Sequence, residues 1–244
     1  MFLNQVHSEW IKLRTVRSTM VMFFCALFLS AFFGAIVQIA AKGDQKVSGL
    51  FFGILIAQVL FAVIGVQIIG QEYRFKTIRT TFANNPKRLQ VVSAKLLLLV
   101  LAVGATTLLL MGVSIFFGWI VLAIQGHGID FGADGTIRFL IGVFFVSVLT
   151  SVFGFGIGSI LRQPIAGIIV VILWMLVLEN VISGLLTIFE IEAFKWFPYI
   201  SLSSAATETN DPAYFSQPVA LLYSGSIFLA LVAVGAYMIK RRDA

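Results

Sequence analysis

Glu179 is the one acidic residue deep inside a long apolar run, preceded by Trp174-Met175-Leu176-Val177-Leu178 and followed by Asn180. A carboxyl in hydrocarbon is costly, so such a residue is a candidate for function by default. Two readings stand for it. One is structural: a neutral or hydrogen-bonded carboxyl at a helix contact, or a position near the outer interface that water reaches. The other puts Glu179 and Asn180 on a substrate path or at a contact between two copies of the chain. A cation site is disfavoured, because no second acidic residue accompanies Glu179 in any apolar run. The remaining chemistry is sparse. His7 and His127 are far apart in the topology derived below and offer no metal pair. There is no His-Glu-x-x-His, no Gly-x-Ser element with a histidine to serve it, and no Gly-x-x-x-x-Gly-Lys-Ser/Thr loop to cradle phosphates. The single cysteine, Cys25, excludes an intrachain disulfide. The sequence therefore predicts no catalytic residue and no metal site in this chain.

The elements that must carry these side chains follow from composition. Of 244 residues, 59% are hydrophobic and 11% are charged, and the mean hydropathy is +1.01. A soluble domain of this size carries roughly 25% charged residues. There is too little polar surface here to face water, so lipid is the solvent for most side chains. Six segments are long enough to cross a hydrocarbon core as helices: 19–40, 49–69, 96–124, 139–160, 165–186 and 219–239. Helices are required because backbone amides in lipid must be satisfied within their own segment. The first run is too long for a signal-peptide core and lacks a cleavage site, so it reads as a retained span. The fold class predicted is all-α: one polytopic domain over 1–244, with no second domain and no repeat of fixed period.

Lysine and arginine orient the chain. An even number of spans puts both termini on one side, together with 70–95 and the turn 161–164. That side holds Lys12, Arg14, Arg17, Arg74, Lys76, Arg79, Lys87, Arg88, Lys95, Arg162, Lys240, Arg241 and Arg242, thirteen of the seventeen basic residues. The other side has Lys42, Lys46, Arg138 and Lys195, with seven of the eleven acidic residues. Both termini are thus expected in the cytoplasm. Topology accounts for the net charge of +6, and nucleic acid needs no place as a partner.

Two segments on the basic side stand out from the spans and short turns. In 1–18, Phe2, Val6, Trp10 and Leu13 recur at helical spacing while Gln5, Ser8, Lys12 and Thr15 lie largely opposite. The pattern predicts an amphipathic helix in the headgroup plane, in contact with membrane lipid; the plainer alternative is a basic flank that only fixes topology. In 70–95, residues 72–82 can form a short helix that Asn84-Asn85-Pro86 stops. A polar helix with an aromatic edge between two spans is a lever for a soluble partner, or else a basic loop touching only water and headgroups.

The loop reads Glu72-Tyr73-Arg74-x-x-Thr77-Ile78-Arg79-x-Thr81, then Pro86-x-Arg88 and Ala94-Lys95. It resembles the cytoplasmic signature of ABC-2 type transporter permeases. Ser8-Glu9-Trp10-Ile11-Lys12-Leu13-Arg14 resembles the segment before the first span of the same family, above all its drug and antibiotic exporters from Gram-positive bacteria. Lys195-Trp196-Phe197-Pro198 resembles the family's outer-face proline element. The resemblance covers the whole chain in topology and these three places residue by residue. It implies that 72–82 is a coupling helix, with Glu72, Tyr73, Arg74, Thr77, Ile78, Arg79 and Phe82 contacting a separate ABC ATP-binding subunit. It implies that 1–18 is a connecting helix and that 187–217 holds short helices dipping into the outer leaflet. It also implies two permeases with two ATPases, in which ATP and Mg are bound by the partner subunit and this chain holds no cofactor. One departure stands out. The family usually has glycine just before the loop threonine, and this chain has Lys76.

Gly154, Gly156 and Gly158 give a Gly-x-x-x-Gly spacing that predicts close helix packing. The many phenylalanines either face lipid or line a drug-binding cavity. The function expected is the permease subunit of an exporter for a drug-like or peptide-antibiotic substrate in the bacterial cell membrane. The alternatives are export of a lipid-linked or polysaccharide substrate, and a free-standing channel or secondary transporter.

Overall fold

The computed structural model describes residues 2–40, 52–84, 87–124, 136–189, 196–207 and 215–241. These form ten α-helices: α1 (Phe2–Thr15), α2 (Arg17–Ala40), α3 (Phe52–Arg74), α4 (Ile78–Asn84), α5 (Arg88–Ile124), α6 (Thr136–Leu161), α7 (Pro164–Leu173), α8 (Glu179–Ile188), α9 (Pro198–Thr207) and α10 (Gln217–Arg241). A π-helical turn, Trp174–Leu178, joins α7 to α8 without a break. Among the described residues there is no strand, and six helical spans are long and apolar enough to cross a membrane. The protein is an all-α chain built as a multi-pass membrane protein.

The bundle is organised around α3 and α6, which pack along much of their length. Their contact is backbone against backbone. A Cβ on Gly154 would lie 1.9 Å from the Ala62 carbonyl oxygen, one on Gly65 would lie 2.2 Å from that of Ser151, and one on Gly158 would lie 2.8 Å from that of Val66. The Gly-x-x-x-Gly of α6 therefore meets a small-residue face of α3. Where lipid is as apolar as leucine, close approach and dispersion hold helices together, and side chains at such a seam would only separate them. On its other side α6 takes α10, with Gly235 against Ser159. α2 leans on α3 and α5, and α7 on α3. The phenylalanines divide accordingly: Phe61, Phe155 and Phe228 are fully buried, whereas Phe24, Phe28 and Phe32 point outward from α2.

Two element boundaries differ from the sequence-based expectation, and both matter for the site. The second span does not end at 69. It continues to Arg74, so Glu72, Tyr73 and Arg74 are its last turn and not the start of a separate helix over 72–82. The chain then turns through 75–77 before α4. Lys76 is the pivot, with φ at 57°, the left-handed conformation in which helices commonly terminate and for which glycine is the usual residue. The third span likewise starts at Arg88, eight residues before 96, so Lys95 lies well inside α5. Basic residues had suggested loop at both places; Lys95 is instead held within helix by Glu9 of α1 and Glu72 of α3, whereas Arg74 stays exposed at the end of α3. Asn85 and Pro86, where a helix stop was expected, lie outside the described residues, as do His127, Lys42, Lys46, Lys195 and Arg242.

Candidate functional site

The basic end of the bundle is built as two charged layers. The first joins α1, α3 and α5. Lys95 reaches Glu9 at 2.5 Å and Glu72 at 2.8 Å; Lys12 reaches Glu9 at 2.8 Å and the same Glu72 oxygen at 2.9 Å. Glu9 and Lys12 share a face of α1 because they stand three residues apart. Glu72 comes from the final turn of α3, and Lys95 projects from the second turn of α5. Two carboxylates and two ammoniums cancel in formal charge, which is what burial of the group demands. Glu9, Glu72 and Lys95 are all buried, while the Lys12 side chain is 44% exposed. Burial pulls the Lys12 ammonium down, but its hydrogen bonds to Glu9 and Glu72 and their charges outweigh this and hold it above the ordinary lysine value.

The second layer ties the loop to the last span. Arg162 donates to the Met238 carbonyl at 2.8 Å, and Arg88 donates to that of Ile239 at 3.1 Å. Carbonyls in the last turn of a helix have no partner within it, and cations there also suit the helix dipole. The same two guanidiniums cover aromatic rings of the loop, Arg162 over Tyr73 at 5.2 Å and Arg88 over Phe82 at 5.3 Å. Arg162 adopts φ 57° in the turn between α6 and α7 to make this reach.

The residues singled out in the loop thus separate into two groups. Glu72, Ile78 and Phe82 are buried and Tyr73 is half-buried; they anchor the segment to the bundle. Arg74, Thr77 and Arg79 are exposed together with Phe75, Lys76 and Thr80. Phe75 is 65% exposed, with the Arg74 guanidinium over its ring at 5.6 Å. Thr77 has a structural part as well: its carbonyl accepts from the Thr80 and Thr81 hydroxyls and turns the chain into α4. On α1, Val6 and Leu13 are half-buried and Trp10 is exposed; the side chain of Phe2 lies outside the described residues. Sequence reasoning missed the pairing of Glu9 with Lys95. The signal was there: Lys95 follows Val91, Val92 and Ala94 into an apolar run, where an unpartnered ammonium would be costly.

Glu179 and Asn180 lie far from these layers and are brought together with Trp174 and α9. Trp174 Nε1 and the Tyr199 and Ile200 amides all donate to the Glu179 carboxylate, the amides at 3.2 and 2.7 Å. Those amides are the second and third of α9, which have no acceptor inside their own helix. Glu179 therefore caps α9 from another element. The π-helical turn makes this possible: its extra residue sets Trp174 and Glu179, five apart, side by side. Asn180 then donates to the Met175 and Leu176 carbonyls at 2.9 and 3.3 Å, satisfying groups the wide turn leaves open. Of the two readings of Glu179, the geometry matches a hydrogen-bonded carboxyl at a helix contact. Ser224 of α10 holds the same place from the other side, donating to the Pro198 carbonyl at 2.7 Å.

Among the described residues no group of three or more metal-ligating side chains comes together. No protein-family model matches the chain, and no curated protein matches it.

Proposed function

We propose that this chain is the permease subunit of an ATP-driven ABC exporter, with both termini and the segment 70–95 in the cytoplasm of a bacterial cell. One observation carries the reading: the two helix ends that bracket the segment are fixed, α3 and α5 by the Glu72–Lys95 ion pair and α3 by Arg162 over Tyr73, and α4 is held by Arg88 over Phe82, while Arg74, Phe75 and Arg79 project outward. Such a segment passes a push on its outer face directly to α3, α5 and α10. A basic loop meant only for headgroups would need no buried carboxylate–ammonium layer behind it. The resemblance of the same residues to the ABC-2 permease signature supplies the partner, an ABC ATP-binding subunit.

In this reading the chain performs no chemistry. ATP and Mg bind the partner, closure of two ATPases moves the anchored segments of two permeases, and the helices shift as packed bodies to open a path outward. The substrate is drug-like, a peptide antibiotic or another amphiphile. Export of a lipid-linked substrate would use the same coupling, whereas a free-standing channel would not. The test is co-expression with candidate ABC ATP-binding subunits from the same genome, followed by affinity purification and ATPase assay in nanodiscs. Phe75→Asp with Arg79→Glu is expected to abolish copurification while leaving the permease folded. Retention of a fully coupled ATPase by that variant would refute the coupling role.

A further inference from the structure

The basic end of the bundle gathers cations at a second place, where α5 begins and α10 ends. Lys87 and Lys240 are exposed there, and with Arg88, Leu89 and Gln90 they line an open groove between the two helices. Both helices are membrane spans, one starting at Arg88 and the other finishing at Arg241, so the groove lies where acyl chains give way to headgroups. Arg88 is fixed in it by its bond to the Ile239 carbonyl and its place over the Phe82 ring, which positions one cation before any ligand arrives. Among the described residues no carboxylate lines the groove, and Glu9 and Glu72 are already shared between Lys12 and Lys95. Beneath it the surface turns apolar. Leu89, Ser93, Leu97 and Leu101 follow one another at four-residue spacing and stay exposed along one face of α5. On α10 the exposed Tyr237 ring lies under the Arg241 guanidinium at 4.8 Å, an amphipathic ring of the kind that sits at headgroup level.

We propose that this groove binds the phosphodiester of an anionic phospholipid of the phosphatidylglycerol type, with Lys87, Arg88 and Lys240 around the phosphate and an acyl chain along the exposed row of α5. Charge complementarity chooses the headgroup. Three cations without a lining carboxylate leave a positive site, which a phosphate with an uncharged remainder neutralises. A choline or ethanolamine headgroup brings its own ammonium to the same cations and loses part of that gain to like-charge repulsion. Position chooses a lipid over a free anion. The groove stands at headgroup depth, and the apolar row beneath it accommodates a chain that a soluble phosphate does not have. The site is independent of the coupling role, since it requires only two span ends and their leaflet.

The test uses the full chain in nanodiscs holding phosphatidylcholine and phosphatidylglycerol at equal mole fraction. The protein is then transferred to detergent, and the lipids it retains are counted by native mass spectrometry. A basic residue near an anionic headgroup is worth about a fivefold gain in binding, so the two exposed lysines together predict about a 25-fold preference for phosphatidylglycerol. Lys87→Gln with Lys240→Gln is expected to remove most of that preference. Both side chains are exposed, and helical circular dichroism checks that the bundle stays folded. Arg14→Gln with Arg17→Gln removes the same charge from the exposed surface of α1 and the start of α2, outside the groove, and is expected to leave the preference in place. Equal loss from the two pairs would show attraction by the whole basic end without a site, and would overturn the proposal. Equal retention of the two lipids by the unaltered chain would do the same. Glycerol phosphate added in molar excess separates the sources. The lipid is expected to stay bound, whereas its displacement would give the groove to a soluble anion and overturn the lipid as occupant.

Discussion

Replacing Lys95 by methionine tests the inner charged layer most directly. The stem length is nearly kept, so the packing that the lysine methylenes provide survives and the ammonium alone is removed. Glu9 Oε2 then loses its 2.5 Å partner, and Glu72 Oε1 keeps only Lys12. Both carboxylates are buried, at 5% and 9% side-chain exposure. Removing one member of a buried pair costs about 3–5 kcal/mol, because the other charge is left in place without compensation. Lys12 makes contacts of similar length to the same two carboxylates, yet its side chain is 44% exposed, and Lys12→Met is expected to cost only about 1 kcal/mol. The assay is reversible unfolding of the purified chain by SDS in mixed micelles, followed by helical circular dichroism. The decisive quantity is the difference between the two lysines, which share partners and differ in burial. Joint replacement of Glu9, Glu72 and Lys95 by apolar residues of similar volume is expected to restore most of the loss. Equal effects for Lys95→Met and Lys12→Met, or no effect from Lys95→Met, would refute the claim that burial makes this layer matter.

Three further outcomes follow from the geometry. Gly154→Ala places a methyl 1.9 Å from the Ala62 carbonyl oxygen and is expected to cost about 3 kcal/mol or more in the same assay, whereas Gly184→Ala, with open space around it, is neutral or slightly stabilising. Lys76→Gly relieves a left-handed lysine and raises stability by about 0.5–1 kcal/mol, and Lys76→Val lowers it by about 1–2 kcal/mol. Because the folded-state pKa of Lys12 is raised, its stabilising share is complete below the ordinary value of 10.5 and is lost as pH climbs through the raised value. The unfolding midpoint measured across that alkaline range should therefore fall less steeply in Lys12→Met than in the unaltered chain.

The membrane architecture was legible because it rests on sums: twenty apolar residues in a row need no knowledge of their neighbours. The glycine seam of α6 was legible for a related reason, since spacing along one helix fixes which residues share its face. What the sequence hid was pairing across elements. Glu9, Glu72 and Lys95 read separately as an interfacial residue, a loop residue and a flank, and only the close approach of α1, α3 and α5 makes them one object. The start of the third span was missed for the same cause, since Lys95 looks like loop until Glu9 and Glu72 are seen beside it. Lys76 shows the opposite case. The departure from glycine at this position suggested a backbone freedom lost, yet Lys76 takes the left-handed conformation all the same, with φ at 57°. Glu179 was found for its cost in lipid, but its part in capping α9 depends on a π-helical turn that no hydrophobic period announces.

The arginine contacts to Met238 and Ile239 also bear on how the chain is made. Arg162 leaves the ribosome long before the carbonyl it donates to, and Arg88 earlier still. The seam of α3 and α6 can close as soon as four spans are in the bilayer. The arginine layer cannot be finished until the helix Gln217–Arg241 has been delivered, so a helix synthesised well after α3 and α6 completes the surface that they began. A chain truncated ahead of Met238 would keep its seam and lack the tie between its final span and the loop, giving quality control a defect at the basic end to recognise.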